Sequence, residues 1–132
     1  MIKVATAVLV KNGKALAEMR PKKDKLASGK LCFPSGHAKR GETLLTALKR
    51  EAGEELGIRV LKAKEFTVFA WREKYELHYF VVLEWSGRII AGKGVGKLEW
   101  LGKKGLKRMS YFQDIGFGLR AIKIARGIKQ KN

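Results

Sequence analysis

Four side chains within one short stretch carry the strongest chemical signal in the sequence: Arg50, Glu51, Glu54 and Glu55. A helix advances about 100° per residue, so the three glutamates share an arc of roughly 100°. Like charges at these spacings cost a few tenths of a kcal/mol per pair, and the negative end of the helix dipole disfavours carboxylates by about 0.3–1 kcal/mol. Arg50 relieves part of this through an i to i+4 contact with Glu54. Gly53, inside the same element, costs about 1 kcal/mol relative to Ala. Helix stability therefore does not account for the pattern. Two readings stay open: a solvated acidic face, or oxygen ligands for Mg²⁺ or Mn²⁺. Such ions need only a few carboxylates when a substrate phosphate completes the shell.

The element that must position these groups is a helix whose apolar stripe is Leu45, Leu48, Ala52 and Leu56, closed by Gly57. Upstream, Ile2 to Val10 reads as a strand, Lys11-Asn12-Gly13-Lys14 as a tight turn, and Ala15 to Arg20 as the returning strand. Pro21 to Lys30 is a basic loop, and Pro34 holds Leu31 to Pro34 extended. Downstream, Arg59 to Trp71 and Tyr75 to Trp85 form a second hairpin across Arg72-Glu73-Lys74. Gly87 to Lys97 is a glycine-rich basic loop, and Lys97 to Leu101 adds a short strand. Ser110-x-x-Gln113 fits a capping box before a basic C-terminal helix and tail at about 111–132. Strands in pairs around one central and one terminal helix predict an α/β sandwich with a mixed sheet, one domain over 1–132.

Composition limits the function classes. The 132 residues hold 29 Lys plus Arg against 12 Asp plus Glu, a formal charge of +17. That field gathers polyanions, nucleotides or RNA among them, and equally serves solubility. With 45% hydrophobic residues the chain has enough apolar surface for one core. One cysteine, Cys32, excludes an internal disulfide and points to a reducing, cytoplasmic setting. No stretch is long and apolar enough for a membrane span, and the N-terminus lacks the pattern of a signal peptide.

Gly36-HAKRG-Glu42-TLLTALK-Arg50-Glu51-Ala52-Gly53-Glu54-Glu55-Leu56-Gly57-Ile58 resembles the signature of the Nudix (MutT-like) hydrolases, G-x5-E-x7-R-E-U-x-E-E-x-G-U with U a bulky apolar residue. Every fixed letter is present over residues 36–58; Ala52 is smaller than usual at its U position. The resemblance implies a Nudix-type α/β/α sandwich and hydrolysis of a nucleoside diphosphate linked to another moiety. It implies that Glu51, Glu54 and Glu55, with the Gly36 carbonyl, bind Mg²⁺ or Mn²⁺, that Arg50 holds the carboxylates, and that Glu42 supports the site. The metal would lower the pKa of a bound water that attacks phosphorus in line. Glu54 and then Glu99 are the candidates for the general base.

The substrate is less marked. Nucleoside polyphosphates, (d)NTPs or dinucleoside polyphosphates, lead. Relatives similar to diadenosine tetraphosphate hydrolases carry a Tyr beyond the signature, and Tyr75 stands 75 − 58 = 17 residues past Ile58. Phe33, Trp71, Tyr79 and Phe112 are candidates for stacking on a base, with Asp114 for an edge contact, each weighed against a place in the core. His37 reads as a loop hydrogen-bonder and His78 as structural. Alternatives are an RNA 5′-end pyrophosphohydrolase using the basic tail, or a binding module without turnover, which the intact glutamate set disfavours.

Overall fold

A computed structural model describes residues 1–21 and 28–131, with side chains to Ile128; the middle of the Pro21–Lys30 loop lies outside the described residues. The elements run β1 (Ile2–Lys11), β2 (Lys14–Met19), β3 (Leu31–Cys32), β4 (Ser35–His37), α1 (Leu44–Leu56), β5 (Arg59–Trp71), β6 (Tyr75–Ser86), β7 (Lys97–Leu101), a 3₁₀ turn (Gly105–Arg108) and α2 (Phe112–Lys131). The strands make one mixed seven-stranded sheet, ordered β3-β2-β1-β6-β5, with β4 beside β1 and β7 beside β2. This is the α/β sandwich that the pattern of elements predicts.

β1 is the axis of the fold. It pairs in parallel with β6 from Ile2 to Leu9 along one edge. On the other edge its first half pairs with β4, from Val4 to Thr6, and its end pairs with β2 through Val10 and Lys11. A strand sharing its edge between two partners splays them apart, and the gap between β4 and β2 is where the site forms. Residues Val4 to Val10 are buried on both faces, because helices cover both. Ala5, Ala7 and Leu9 pack with Leu16, Phe80 and Val82 under α1. Val8 and Val10 pack with Tyr79, Val81, Leu106 and Ile122 under α2. Among the described residues no helix is long and apolar enough to cross a membrane.

Two local expectations are corrected. Leu45, placed in the apolar stripe of α1, is exposed; the first turn meets the sheet through Leu44 and Ala47, and the buried set is Ala47, Leu48, Ala52 and Leu56. The capping box at Ser110 is not made, because α2 begins at Phe112 and puts Ser110 one residue ahead of the cap position. The Ser110 hydroxyl instead accepts from the Leu31 N–H at 2.8 Å, and its own N–H donates to the Leu31 carbonyl at 2.9 Å. Those bonds tie the start of α2 to β3.

Candidate active site

α1 is fixed at both ends by its own sequence. The Thr43 hydroxyl accepts from the Thr46 N–H at 3.1 Å, and Gly57 closes the helix in the left-handed region at φ 69°. Between these caps Arg50 fastens the helix to the loop before it. Its guanidinium donates to Glu42 twice, at 2.7 and 2.9 Å, to Glu51 Oε1 at 2.6 Å and to the His37 carbonyl at 3.0 Å. Glu54 Oε2 lies 3.4 Å away. The Lys39 N–H adds a bond to Glu42 at 2.7 Å. Arg50 and that N–H hold the Glu42 carboxyl down at about 2, so it stays an acceptor throughout the physiological range.

The three glutamates of α1 do not share one environment. Glu54 is open, its side chain 58% exposed, while the Glu51 side chain is 18% exposed. Glu51 lies against Gly36, where an added Cβ would fall 2.1 Å from its carboxyl carbon. Gly36 is therefore a cradle that any side chain would fill. Glu55 is pushed up to about 8 by burial, and then by the charges of Glu18 and Glu51.

Glu18 is a partner that the spacing of the signature does not include. It is 1% exposed, its Oε2 accepts from the Gly96 N–H at 3.0 Å, and among the described residues its Oε1 has no hydrogen-bond partner. Five of the chain's 12 acidic side chains thus gather here (Glu18, Glu42, Glu51, Glu54 and Glu55) around two guanidiniums, Arg20 and Arg50. Among the described residues no three side chains of the His, Cys, Asp or Glu types already surround one point as a metal cage. Arg50 engages Glu51 and Glu54 instead. The orphaned buried oxygen, the glycine cradle and an all-oxygen donor set nevertheless fit a hard divalent cation.

On the far side of β4 lies a cavity of about 240 Å³, lined by Cys32, Phe33, Trp71, Tyr75, Tyr79 and Asp114 among others. Arg20, Gly36 and His37 line it too, so it runs up to the carboxylate cleft. The Tyr79 hydroxyl donates to Asp114 Oδ1 at 2.6 Å. Burial pushes the Asp114 carboxyl up to about 6 against the effect of that bond. Trp71 packs on Tyr75 at 5.5 Å and on Tyr111 at 5.8 Å between ring centres, which makes an aromatic wall. Arg20 donates to Cys32 Sγ at 3.4 Å and to Ser35 Oγ at 3.3 Å.

The structure brings together Gly36, Glu42, Arg50, Glu51, Glu54 and Glu55 in one place, and Phe33, Tyr75, Trp71, Tyr79 and Asp114 in the adjoining cavity. Two expected residues are elsewhere. Phe112 is 90% exposed and does not line the cavity, because the first turn of α2 points it outward. Glu99 forms a two-pronged ion pair with Arg108, one prong at 3.1 Å. Its neighbours Leu98 and Trp100 pack on the α1 side, so strand alternation turns Glu99 to the opposite face. His37 lies in β4 with its ring 5.9 Å from Tyr75, and buried His78 bridges Glu65 and Glu76 at 3.3 and 2.7 Å. Glu18, Arg20 and Cys32 escape a reading by spacing. The one available signal is a lone acid inside the apolar strand Lys14–Met19.

A family model of the NUDIX domain matches residues 1–113. The chain belongs to the NUDIX family. It is 32% identical over 103 residues to an 8-oxo-dGTP diphosphatase of Buchnera aphidicola subsp. Acyrthosiphon pisum, covering 76% of this chain and 77% of that one. A second protein of the same name, from Buchnera aphidicola subsp. Schizaphis graminum, is 32% identical over 80 residues. That match spans 60% of this chain and 61% of the relative's length. Among solved structures, the E. coli ORF135 protein superposes with a TM-score of 0.77 at 26% identity, over all of this chain and 95% of that one. The MutT protein of Bacillus halodurans gives 0.75 at 24% identity, over 92% and 82%. Family and relatives together indicate a hydrolase acting on pyrophosphate bonds.

Proposed function

We propose that this NUDIX protein is a divalent-metal-dependent pyrophosphohydrolase of nucleoside triphosphates, acting on a purine nucleotide, with an oxidised guanine nucleotide as the first candidate, in a reducing cytoplasmic setting. The observation that carries this reading is the junction at Gly36, where an aromatic cavity with one buried carboxylate opens beside a cluster of glutamates. At about 240 Å³ the cavity is smaller than the ~300–1,000 Å³ of pockets that swallow a drug-sized ligand, so it suits a base rather than a whole nucleotide. The phosphates must then run past Gly36 towards α1. The relatives' name supplies the oxidised guanine.

Mg²⁺ or Mn²⁺ would be held by Glu51, Glu54, Glu55 and the Gly36 carbonyl, and when bound would neutralise phosphate charge and acidify water. Arg50 keeps Glu42, Glu51 and the His37 carbonyl at the end of β4 in fixed relation, so these carboxylates need no reorganisation during reaction. Glu54, the most exposed of the three, is the general base. It takes the proton of the attacking water as the new bond to phosphorus forms and the bond to the departing pyrophosphate oxygen breaks. Trp71 and Tyr75 offer ring faces to the base, and Asp114 Oδ2 accepts from its N–H edge.

The test is a substrate panel with Mg²⁺ and with Mn²⁺, covering NTPs, dNTPs, 8-oxo-dGTP, dinucleoside polyphosphates, ADP-ribose and 5′-triphosphate RNA. Highest kcat/KM on a purine triphosphate is expected. A preference for RNA ends or dinucleoside polyphosphates would replace the substrate while keeping the chemistry.

A further inference from the structure

We propose that Glu18, from β2 and outside the signature, is a further ligand of the divalent cation, reaching it directly or through one bound water. The inference rests on the reading above that α1 holds such an ion.

Strand alternation gives the direction. Leu16, two residues earlier, packs under α1, whereas Ala15 and Ala17 pack under α2, so Glu18 faces α1. Leu98, its partner across the ladder on β7, packs on the same side. Glu55 is the α1 carboxylate whose charge it meets. In that position Glu18 is 1% exposed, and among the described residues no donor hydrogen-bonds to Oε1. A buried carboxylate oxygen left without a donor is costly. Arg20 Nε stands 3.8 Å from Oε1, beyond hydrogen-bond reach. A cation shared with the α1 glutamates satisfies both the orphan oxygen and the mutual repulsion.

The second oxygen is locked in a way that aims the first. Gly96 donates its N–H to Oε2, and an added Cβ on Gly96 would sit 1.7 Å from the Met19 carbonyl oxygen. A Cβ on Gly92 would meet the Glu54 carbonyl oxygen at 2.3 Å. The glycine-rich loop thus lies with bare backbone against both β2 and the end of α1, and closes over Glu18. A carboxylate serving only to hold that loop does not account for an oxygen placed among further carboxylates with an ion pair at 3.8 Å but no hydrogen-bond donor among the described residues.

Binding of Mn²⁺ alone, without nucleotide, is measured by calorimetry or electron paramagnetic resonance for the full chain, Glu18→Gln and an exposed control, Glu73→Gln. Glu18→Gln is expected to weaken Mn²⁺ binding by about tenfold or more. Its metal-free melting temperature should be unchanged or higher, and Glu73→Gln should bind as the unaltered chain does. Equal Mn²⁺ affinity in Glu18→Gln overturns the inference and leaves the proposed function standing. No Mn²⁺ binding by the unaltered chain overturns both. Crystals of the unaltered chain soaked in Mn²⁺ ask the same question without a variant. Glu18 Oε1 bonded to the ion or to one of its waters supports the assignment, and an ion bound by α1 with Glu18 uninvolved rejects it.

Discussion

The carboxylate cleft and the aromatic cavity touch at Gly36, yet they are built in opposite ways. The signature part of the cleft takes Gly36 from β4, Glu42 from the loop that follows and Arg50, Glu51, Glu54 and Glu55 from α1, one continuous stretch of chain in which Arg50 ties Glu42, Glu51 and Glu54 together. The cavity gathers Val4, Cys32, Trp71, Tyr79 and Asp114 from β1, β3, β5, β6 and α2. Chemistry is thus encoded locally and recognition by tertiary assembly. A change in the cleft should damage catalysis for every substrate, whereas a change in the cavity should alter which substrate is chosen. Two carboxyls show the contrast. Glu54 is open to water, and Asp114 is buried with one oxygen spent on Tyr79.

The largest expected effect is in the cleft. Glu54→Gln should lower kcat by roughly 10²–10⁴ on all substrates, the range of a lost general base, with circular dichroism and melting unchanged. An unaltered kcat at saturating Mg²⁺ would remove Glu54 from that role. Arg50→Ala frees Glu42, Glu51 and the His37 carbonyl together and should cost about 10–100-fold in kcat/KM, as losses of orienting groups do. Raising Mg²⁺ should recover part of it. A loss confined to one nucleotide would mean that cleft and cavity are not separate.

Asp114→Asn is the matching change in the cavity. It should leave kcat on a favoured substrate within a few-fold while shifting base preference by about 1–3 kcal/mol, and steady-state competition between 8-oxo-dGTP and dATP reads this. It also carries a pH signature. Asp114 moves from an ordinary value near 3.8 up to about 6 in the folded chain. The native state therefore holds the proton more tightly than the unfolded one. Stability from this group is highest below pH 4, falls between about 4 and 6, and is flat above. At pH 7 the Asn variant should be more stable by about 1–3 kcal/mol, and urea unfolding should show that gain vanishing near pH 4. A gain independent of pH would assign it to packing instead. The smallest effect belongs to Glu99→Gln, which opens only the pair with Arg108 on the far face. Kinetics on the purine triphosphate should not change, and a collapse of kcat would return Glu99 to the reaction.

The same contrast explains what the sequence discloses. Glu51, Glu54 and Glu55 are legible because helical spacing translates directly into a shared face, and Thr43 and Gly57 cap that helix as the residue types require. The hairpins are legible from Asn12-Gly13 and from alternation. Glu99 misleads because its place beside Trp100 fixes the strand and not the face, and the neighbours Leu98 and Trp100 decide which way it turns. Phe112 misleads for a similar reason: an aromatic beside Asp114 in sequence sits outside the cavity that Asp114 lines. Glu18 stays hidden because its significance arises only when β2, α1 and the Gly92–Gly96 loop close around it.

Phosphorus NMR of the products from a purine nucleoside triphosphate with Mg²⁺ tests the central claim most directly. A phosphate chain running from the cavity past Gly36 to the α1 carboxylates predicts nucleoside monophosphate and inorganic pyrophosphate in equal amounts. Release of orthophosphate with nucleoside diphosphate, or no turnover by a folded protein with its metal bound, would contradict it.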